Sequence, residues 1–297
     1  MFACQSRYMK AMGRILVPVD GSDTSSRAVD FSIALAKGAA TEIVFFHAVV
    51  APGGEAGLGD ALERARTAGI VAEAIEGSGP PARAILEFRR DGNFEAVVMG
   101  TRGTSRASRF FLGGTAEGVL CQSRIPVFVV PSGAVARRTA GSSFRRIEVA
   151  LDASESGAAA LQMAIDLAEP GETNLLIAHA SDVQRPPVAS RSQRRVPAAG
   201  RRNEPACTTA RIAEAVDRAN AAGVKTEYVL LDGPTSGLPL ESARLHGADL
   251  IVVGKRGWRD IEAMVLWSVA DGVLRDAMVP VLVVPAAEKA TFHKAVA

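Results

Sequence analysis

Ile15-Leu16-Val17-Pro18-Val19-Asp20-Gly21-Ser22 is an apolar run that stops at Asp-Gly-Ser, and behind it Ala28 to Ala36 repeats apolar residues at helical spacing. The stretch predicts a buried strand, a tight turn and a helix. The same unit returns. Ile147 to Ser154 reads IEVALDAS and leads into Ala158 to Ala168, with Asp152 standing 132 positions after Asp20. Ile43 to His47 (IVFFH) and Leu175 to His179 (LLIAH) keep that offset and read as second strands. Farther along the offset becomes 154: Ala96 to Gly100 (AVVMG) matches Leu250 to Gly254 (LIVVG), and Ile125 to Pro131 (IPVFVVP) matches Val279 to Pro285 (VPVLVVP). The chain is a head-to-tail duplication whose second copy is 22 residues longer.

The extra length falls in Ser181 to Asn203, which is rich in Pro, Ser and Arg and has no periodicity, so it reads as a loop insertion over 181–203. The third strands, Val71 to Ile75 and Val224 to Leu230, each follow a glycine that ends a helix, Gly69 and Gly223. That helix spans about Asp60 to Ala68 in the first copy and about Cys207 to Ala222 in the second. Strands alternating with helices over short connections imply an α/β fold: two tandem open parallel five-stranded sheets with helices on both faces, Rossmann-like. The expected division is 13–131 for the first domain, 132–144 for a linker, 145–285 for the second domain and 286–297 for a tail.

Composition agrees. Hydrophobic residues make up 48% of the 297 and aromatics 5%, so Ala, Val, Leu and Ile carry the core, as in buried parallel strands. A net charge of +2 is too small to argue for a protein that coats nucleic acid. The insertion is locally basic (Arg185, Arg191, Arg194, Arg195, Arg201 and Arg202 against Asp182), but it interleaves no aromatic side chain to stack on bases, which favours a solvated loop. Cys4, Cys121 and Cys207 lie far apart without a CxxC pair, which argues against a zinc site or a disulfide framework and suits a reducing cytoplasm. No apolar run reaches membrane-spanning length and Met1 to Met12 has no apolar leader core, so a cytoplasmic, non-membrane protein is expected; the patternless stretch before Arg14 makes Met9 and Met12 alternative starts.

In an open parallel sheet, ligands sit outside the carboxyl ends of the strands where the strand order switches. In the first copy those ends offer Asp20-Gly21-Ser22, Val49 and the run from Gly100-Thr101-Arg102-Gly103 to Gly113-Gly114-Thr115, which opens a helix. Glycines let backbone amides approach anionic oxygens closely, a helix N-terminus supplies further amides, and Arg102, Arg106 and Arg109 add positive charge. A turn-rich loop without a ligand is the bland alternative. The spacing, Gly-x-x-Gly, nine residues, then Gly, resembles the adenine-nucleotide signature of the universal stress protein family. ILVPVDGS and IPVFVVP are similar to that family too, and the resemblance covers Arg14 to Pro131 and Arg146 to Pro285 as a tandem pair.

The resemblance implies an adenine nucleotide alpha hydrolase-like variant of the Rossmann-like fold and a site for ATP or another adenine nucleotide, with or without Mg. Pro18, Val19 and Asp20 would lie on the adenine and ribose side, and the backbone of Val49 would meet adenine. Met99, Gly100, Arg102, Gly103, Gly113, Gly114 and Thr115 would surround the phosphates. Position 114 departs from the pattern, which has a hydroxyl residue there; here it is Gly, with Thr115 one place later. The resemblance also implies pairing through the last strands, so that Val127 to Val130 and Val281 to Val284 meet edge to edge as an internal dimer, with room for a further homo-oligomer.

The second copy departs further. After Gly254-Lys255-Arg256-Gly257 the third glycine is replaced by Trp267, followed by Ser268, and Asp260 and Glu262 lie inside the loop. Bulk and negative charge there predict a half that binds no nucleotide in the family's manner, with Trp267 packed as core. His47 and His179 end matching strands without any ligand cluster beside them, so hydrogen-bonded structural histidines are expected. Asp20 has no nucleophile partner in sight, which favours binding or turn capping over catalysis. The expected function is therefore a stress-response module that binds ATP in its first half. A slow ATPase, or an interaction protein that binds no nucleotide, are the alternatives.

Overall fold

The computed structural model describes residues 12–37, 40–50, 57–101, 112–133, 144–152, 154–181, 206–232, 237–255 and 269–286. The first copy runs β1 (Arg14–Pro18), α1 (Asp23–Ala36), β2 (Glu42–Val49), α2 (Leu58–Thr67), β3 (Ala72–Ser78), α3 (Pro81–Asp91), β4 (Ala96–Gly100), α4 (Gly114–Gln122) and β5 (Val127–Val130). The second repeats the order as β6 (Arg146–Ala150), α5 (Glu155–Leu167), β7 (Asn174–Ser181), α6 (Ala206–Ala221), β8 (Lys225–Asp232), α7 (Leu238–His246), β9 (Leu250–Gly254), α8 (Val269–Asp276) and β10 (Val281–Val284). The sequence periodicities find these elements because buried parallel strands are continuous apolar runs and each covering helix carries one apolar stripe. Gly69 and Gly223 take left-handed φ values of 73° and 78° just past α2 and α6, a turn that only glycine adopts without strain.

The strands make one ten-stranded sheet in the order β3-β2-β1-β4-β5-β10-β9-β6-β7-β8, so the two tandem five-stranded sheets are joined into one through Val127–Val130 and Val281–Val284, the edge-to-edge pairing that the resemblance implied. Each half is parallel, but β5 and β10 pair antiparallel, Val129 opposite Val281, Phe128 opposite Leu282 and Val127 opposite Val283. The physical reason is an unpaired edge: Val-Phe-Val-Val and Val-Leu-Val-Val are apolar on both faces and are fully buried only when each hydrogen-bonds the other. The core follows suit. On one face a single apolar cluster packed by α1, α2, α5 and α6 includes Ile15, Val98 and Phe128 from the first copy and Val149, Val252 and Leu282 from the second. On the other face α3, α4, α7 and α8 cover Leu16, Val97, Val129, Ile251 and Val283.

The repeat also begins earlier than its pattern suggests. Met12 and Phe144 are each 1% exposed, and their carbonyls accept the hydroxyls of Thr41 and Thr173 at 2.7 Å. Phe144, placed in the linker by composition, is thus a core residue of the second copy. The rest of that linker (134–143), most of the insertion (182–205) and the tail from 287 lie outside the described residues. Among the described residues no helix is long and apolar enough to cross a membrane.

Candidate functional site

Strand order reverses direction between β1 and β4, which are neighbours, so the ends of β2, β1 and β4 stand side by side at the switch point. Just beyond Pro18 at the end of β1, Val19 is held from both sides: its amide donates to the Phe46 carbonyl at 2.8 Å, and its carbonyl accepts His47 Nδ1–H at 2.8 Å. His47 is the structural histidine its setting predicts, and His179 does the same for Leu151 at 2.9 Å. Asp20 follows, exposed at the rim. Its Oδ1 accepts the Ser22 amide at 3.0 Å and the Ser22 hydroxyl at 2.6 Å, and Ser22 in turn caps α1 by accepting the Ser25 amide at 3.2 Å. Asp20 Oδ2 has no partner among the described residues, so one carboxylate oxygen is fixed by the turn while the other faces outward. Val49 ends β2 opposite Ser78 of β3, one strand away from Asp20.

The other rim begins at Met99 and Gly100. A Cβ on Gly100 would lie 2.7 Å from the Thr24 carbonyl carbon and from its hydroxyl oxygen, so glycine is what lets the first turn of α1 seat against the end of β4. Thr101 then donates its amide to the Val130 carbonyl at 3.1 Å, and its own carbonyl accepts the Gly113 amide at 2.8 Å. That second bond ties together the two ends of the glycine-rich loop. Arg102, Gly103, Arg106 and Arg109 lie between them, outside the described residues. Gly113 is the N-cap of α4, and among the described residues no side chain caps this helix. The amides of Gly114, Thr115 and Ala116 consequently have no intrahelical acceptor and form the positive end of the helix dipole. Because Thr101 takes the Gly113 amide, the available donors start at Gly114, one residue later than the sequence pattern suggests. Among the described residues a Cβ at Gly114 would meet nothing within 4 Å, so none of them crowds that turn.

The second copy keeps the frame and changes the rim. Leu151 donates to the Ala178 carbonyl at 2.8 Å, and Gly254 packs its Cα against α5, where a Cβ would come within 2.7 Å of the Gly157 amide. Asp152 likewise accepts the Ser154 amide at 2.9 Å, and the Ser154 hydroxyl too. Where the first copy has Ser25, however, the second has Gly157, and any Cβ there would overlap Asp152 Oδ1. The carboxylate therefore lies down on the helix N-terminus and is half-buried, whereas Asp20 is exposed. This difference was legible as a Ser-to-Gly exchange between the copies, but its effect on the neighbouring aspartate was not. Gly257, Asp260, Glu262, Trp267 and Ser268 lie outside the described residues.

Little else in the described residues offers chemistry. No group of three or more His, Cys, Asp or Glu side chains stands close enough to hold a metal. Burial pushes the half-buried Cys121 thiol up, and the nearby Glu117 carboxylate adds to that, which keeps it protonated.

The universal stress protein family model matches residues 12–62, 51–131 and 143–285, that is, both copies. Universal stress protein YxiE of Bacillus subtilis is 30% identical over 144 residues, which cover 97% of it and 39% of this chain. A universal stress protein of Thermus aquaticus is 31% identical over 132 residues, with 96% of it and 39% of this chain covered. Both relatives are thus about one copy long. A universal stress protein structure from Archaeoglobus fulgidus has the tandem fold, with a TM-score of 0.68 at 23% identity over 93% of this chain and 97% of that one. With the family model matched over both halves, this chain belongs to the universal stress protein family.

Proposed function

We propose that the first copy binds an adenine nucleotide, ATP in the simplest case, and that the second copy does not, giving one nucleotide per chain. The observation that carries this is the N-terminus of α4, which no described side chain caps and no described atom crowds at Gly114, standing across the switch point from the Asp20 oxygen that the turn leaves unengaged. The first-turn amides suit phosphate oxygens, and Arg102 and Gly103 belong to the same loop. A carboxylate with one oxygen unengaged suits a ribose hydroxyl. The exposed backbone end of β2 at Val49 suits the adenine edge. In the second copy Asp152 is folded onto its own helix and the loop carries Trp267, Asp260 and Glu262. The chain then acts as a binding module whose occupancy biases its own conformation or a partner. Hydrolysis is a second reading, with Asp20 as its one candidate base.

The test is direct. Purified protein is denatured and the supernatant analysed for nucleotide, and ATP is titrated calorimetrically into the stripped protein. One site per chain is expected. Gly114→Asp, whose Cβ would meet no described atom within 4 Å, is expected to weaken ATP at least about tenfold by putting a carboxylate before the amides. Two nucleotides per chain would overturn the assignment of the second copy, and no binding at all would overturn the reading of the site. Steady phosphate release that disappears in Asp20→Ala would favour hydrolysis.

A further inference from the structure

Lys255 is the first residue of the second copy's loop, placed as Thr101 is in the first: its amide donates to the Val284 carbonyl at 2.7 Å just as that of Thr101 does to Val130. Its side chain reaches into the other half. The ammonium crosses the β5–β10 seam and donates to the carbonyls of Cys121 and Ser123 at 2.8 and 2.9 Å. Cys121 lies in the last turn of α4, and Ser123 is its C-cap, 2% exposed. α4 carries no basic residue of its own in that last turn. The cation at its negative end therefore comes from the other half of the chain, and Thr101, with a short hydroxyl side chain, cannot make the reciprocal contact to α8.

We propose that Lys255 is a positioning residue for the first copy's site, linking the second half of the chain to nucleotide binding in the first. This rests on the reading of α4 as the phosphate-facing helix. α4 is only nine residues long, so whatever fixes its carboxyl end also fixes where the amides of Gly114, Thr115 and Ala116 stand at its other end. Two charge-assisted hydrogen bonds orient it, and the positive charge at its carboxyl end adds to a dipole whose positive end faces the anion. The degenerate copy thereby keeps a role. The lysine that opens its loop is held by carbonyls of the neighbouring half. By linkage, nucleotide bound at the first site tightens the Lys255 contact to the same extent that the contact tightens nucleotide.

The experiment titrates ATP into full-length wild type, Lys255→Met and Lys255→Arg, with hydrogen exchange followed in parallel. Lys255→Met is expected to weaken ATP roughly three- to tenfold at unchanged stoichiometry, and Lys255→Arg, which can still donate to both carbonyls, to restore most of it. In wild type, ATP is expected to slow exchange at the Lys255 amide and in β9 of the second half as well as in α4, and in Lys255→Met the slowing is expected to stay within the first half. That spread separates a link between the halves from a merely structural lysine. Equal affinities for wild type and Lys255→Met would overturn the link while leaving the nucleotide site standing. A wild type that binds no nucleotide would overturn the reading of the site and this inference with it.

Discussion

Glu148 occupies the position that Leu16 has in the first copy, in the centre of the sheet on the face covered by α7, with Leu176 and Ile251 beside it on β7 and β9. It is fully buried; Oε2 accepts the Ser242 hydroxyl at 2.8 Å and Oε1 has no partner. Among the described residues no cation compensates it. His246, one turn beyond Ser242 on α7, gives its Nδ1–H to the Ser242 carbonyl at 2.9 Å and not to the carboxylate. Burial raises the Glu148 carboxyl from its ordinary 4.5 to about 8, opposed by the Ser242 hydrogen bond. The folded chain thus keeps a proton that the unfolded chain releases. As far as this group is concerned, stability is greatest below about pH 4.5, declines as pH rises to about 8, and levels off above. Glu148→Gln is expected to remove that decline, gaining on the order of 4 kcal/mol relative to wild type between pH 5 and pH 9. Urea unfolding of both proteins at the two pH values checks it, and a pH-independent difference would refute it.

Between the two copies a whole element has changed its way of packing. In the first copy α3 meets the sheet through rings: Phe46 and Phe88 stack with centroids 4.7 Å apart, and Phe94 follows at 5.6 Å from Phe88. The second copy has Ala178, Ser242 and Ala248 at these three positions, and fills the space from others. Leu231 stands where the first copy has Gly77, and His246 where it has Gly92. A Cβ on Gly77 would lie 2.5 Å from the Phe46 ring, which is why large and small exchange as a pair. Gly77→Leu alone is expected to cost about 1 to 3 kcal/mol by overpacking, and Phe46→Ala alone about 3 to 5. The double variant, which imports the second copy's pair, is expected to cost at least about 1 kcal/mol less than their sum in a double-mutant cycle. Strict additivity would show that the two positions do not share space. These pairings explain what could and could not be read from the chain. Strands and helices were legible because each carries its own period, as were Asp20, Gly100 and the glycines that open α4. The compensation between Phe46 and Gly77 was not, since it depends on two strands being adjacent. Neither was the engagement of the Gly113 amide by Thr101, since both residues belong to one loop whose closure has no local signature.

For the whole molecule, the decisive event is the pairing of β5 with β10. Each strand's own pattern says only that it is buried; its partner is another edge more than a hundred residues away, which is why the merger of the sheets is a property of the assembled chain. Among the described residues the pairing leaves β3 and β8 as the outer edges, and these carry charge, Glu73 and Glu76 on one and Lys225 and Glu227 on the other, which discourages further addition of strands. It also places Phe128 opposite Leu282 in a cluster common to both halves, with the Phe31 ring 5.6 Å from Phe128. The two halves should accordingly unfold as one unit, although each has the length of a domain. Phe128→Ala tests this because the side chain belongs to the first copy and its cavity would open at the seam. A loss of about 3 to 5 kcal/mol is expected, with hydrogen exchange quickening in β9 and β6 of the second half as well as in β4 and β1 of the first. If exchange quickens in the first half alone, the halves are independent domains that merely touch, and Lys255 would then have no rigid seam across which to act.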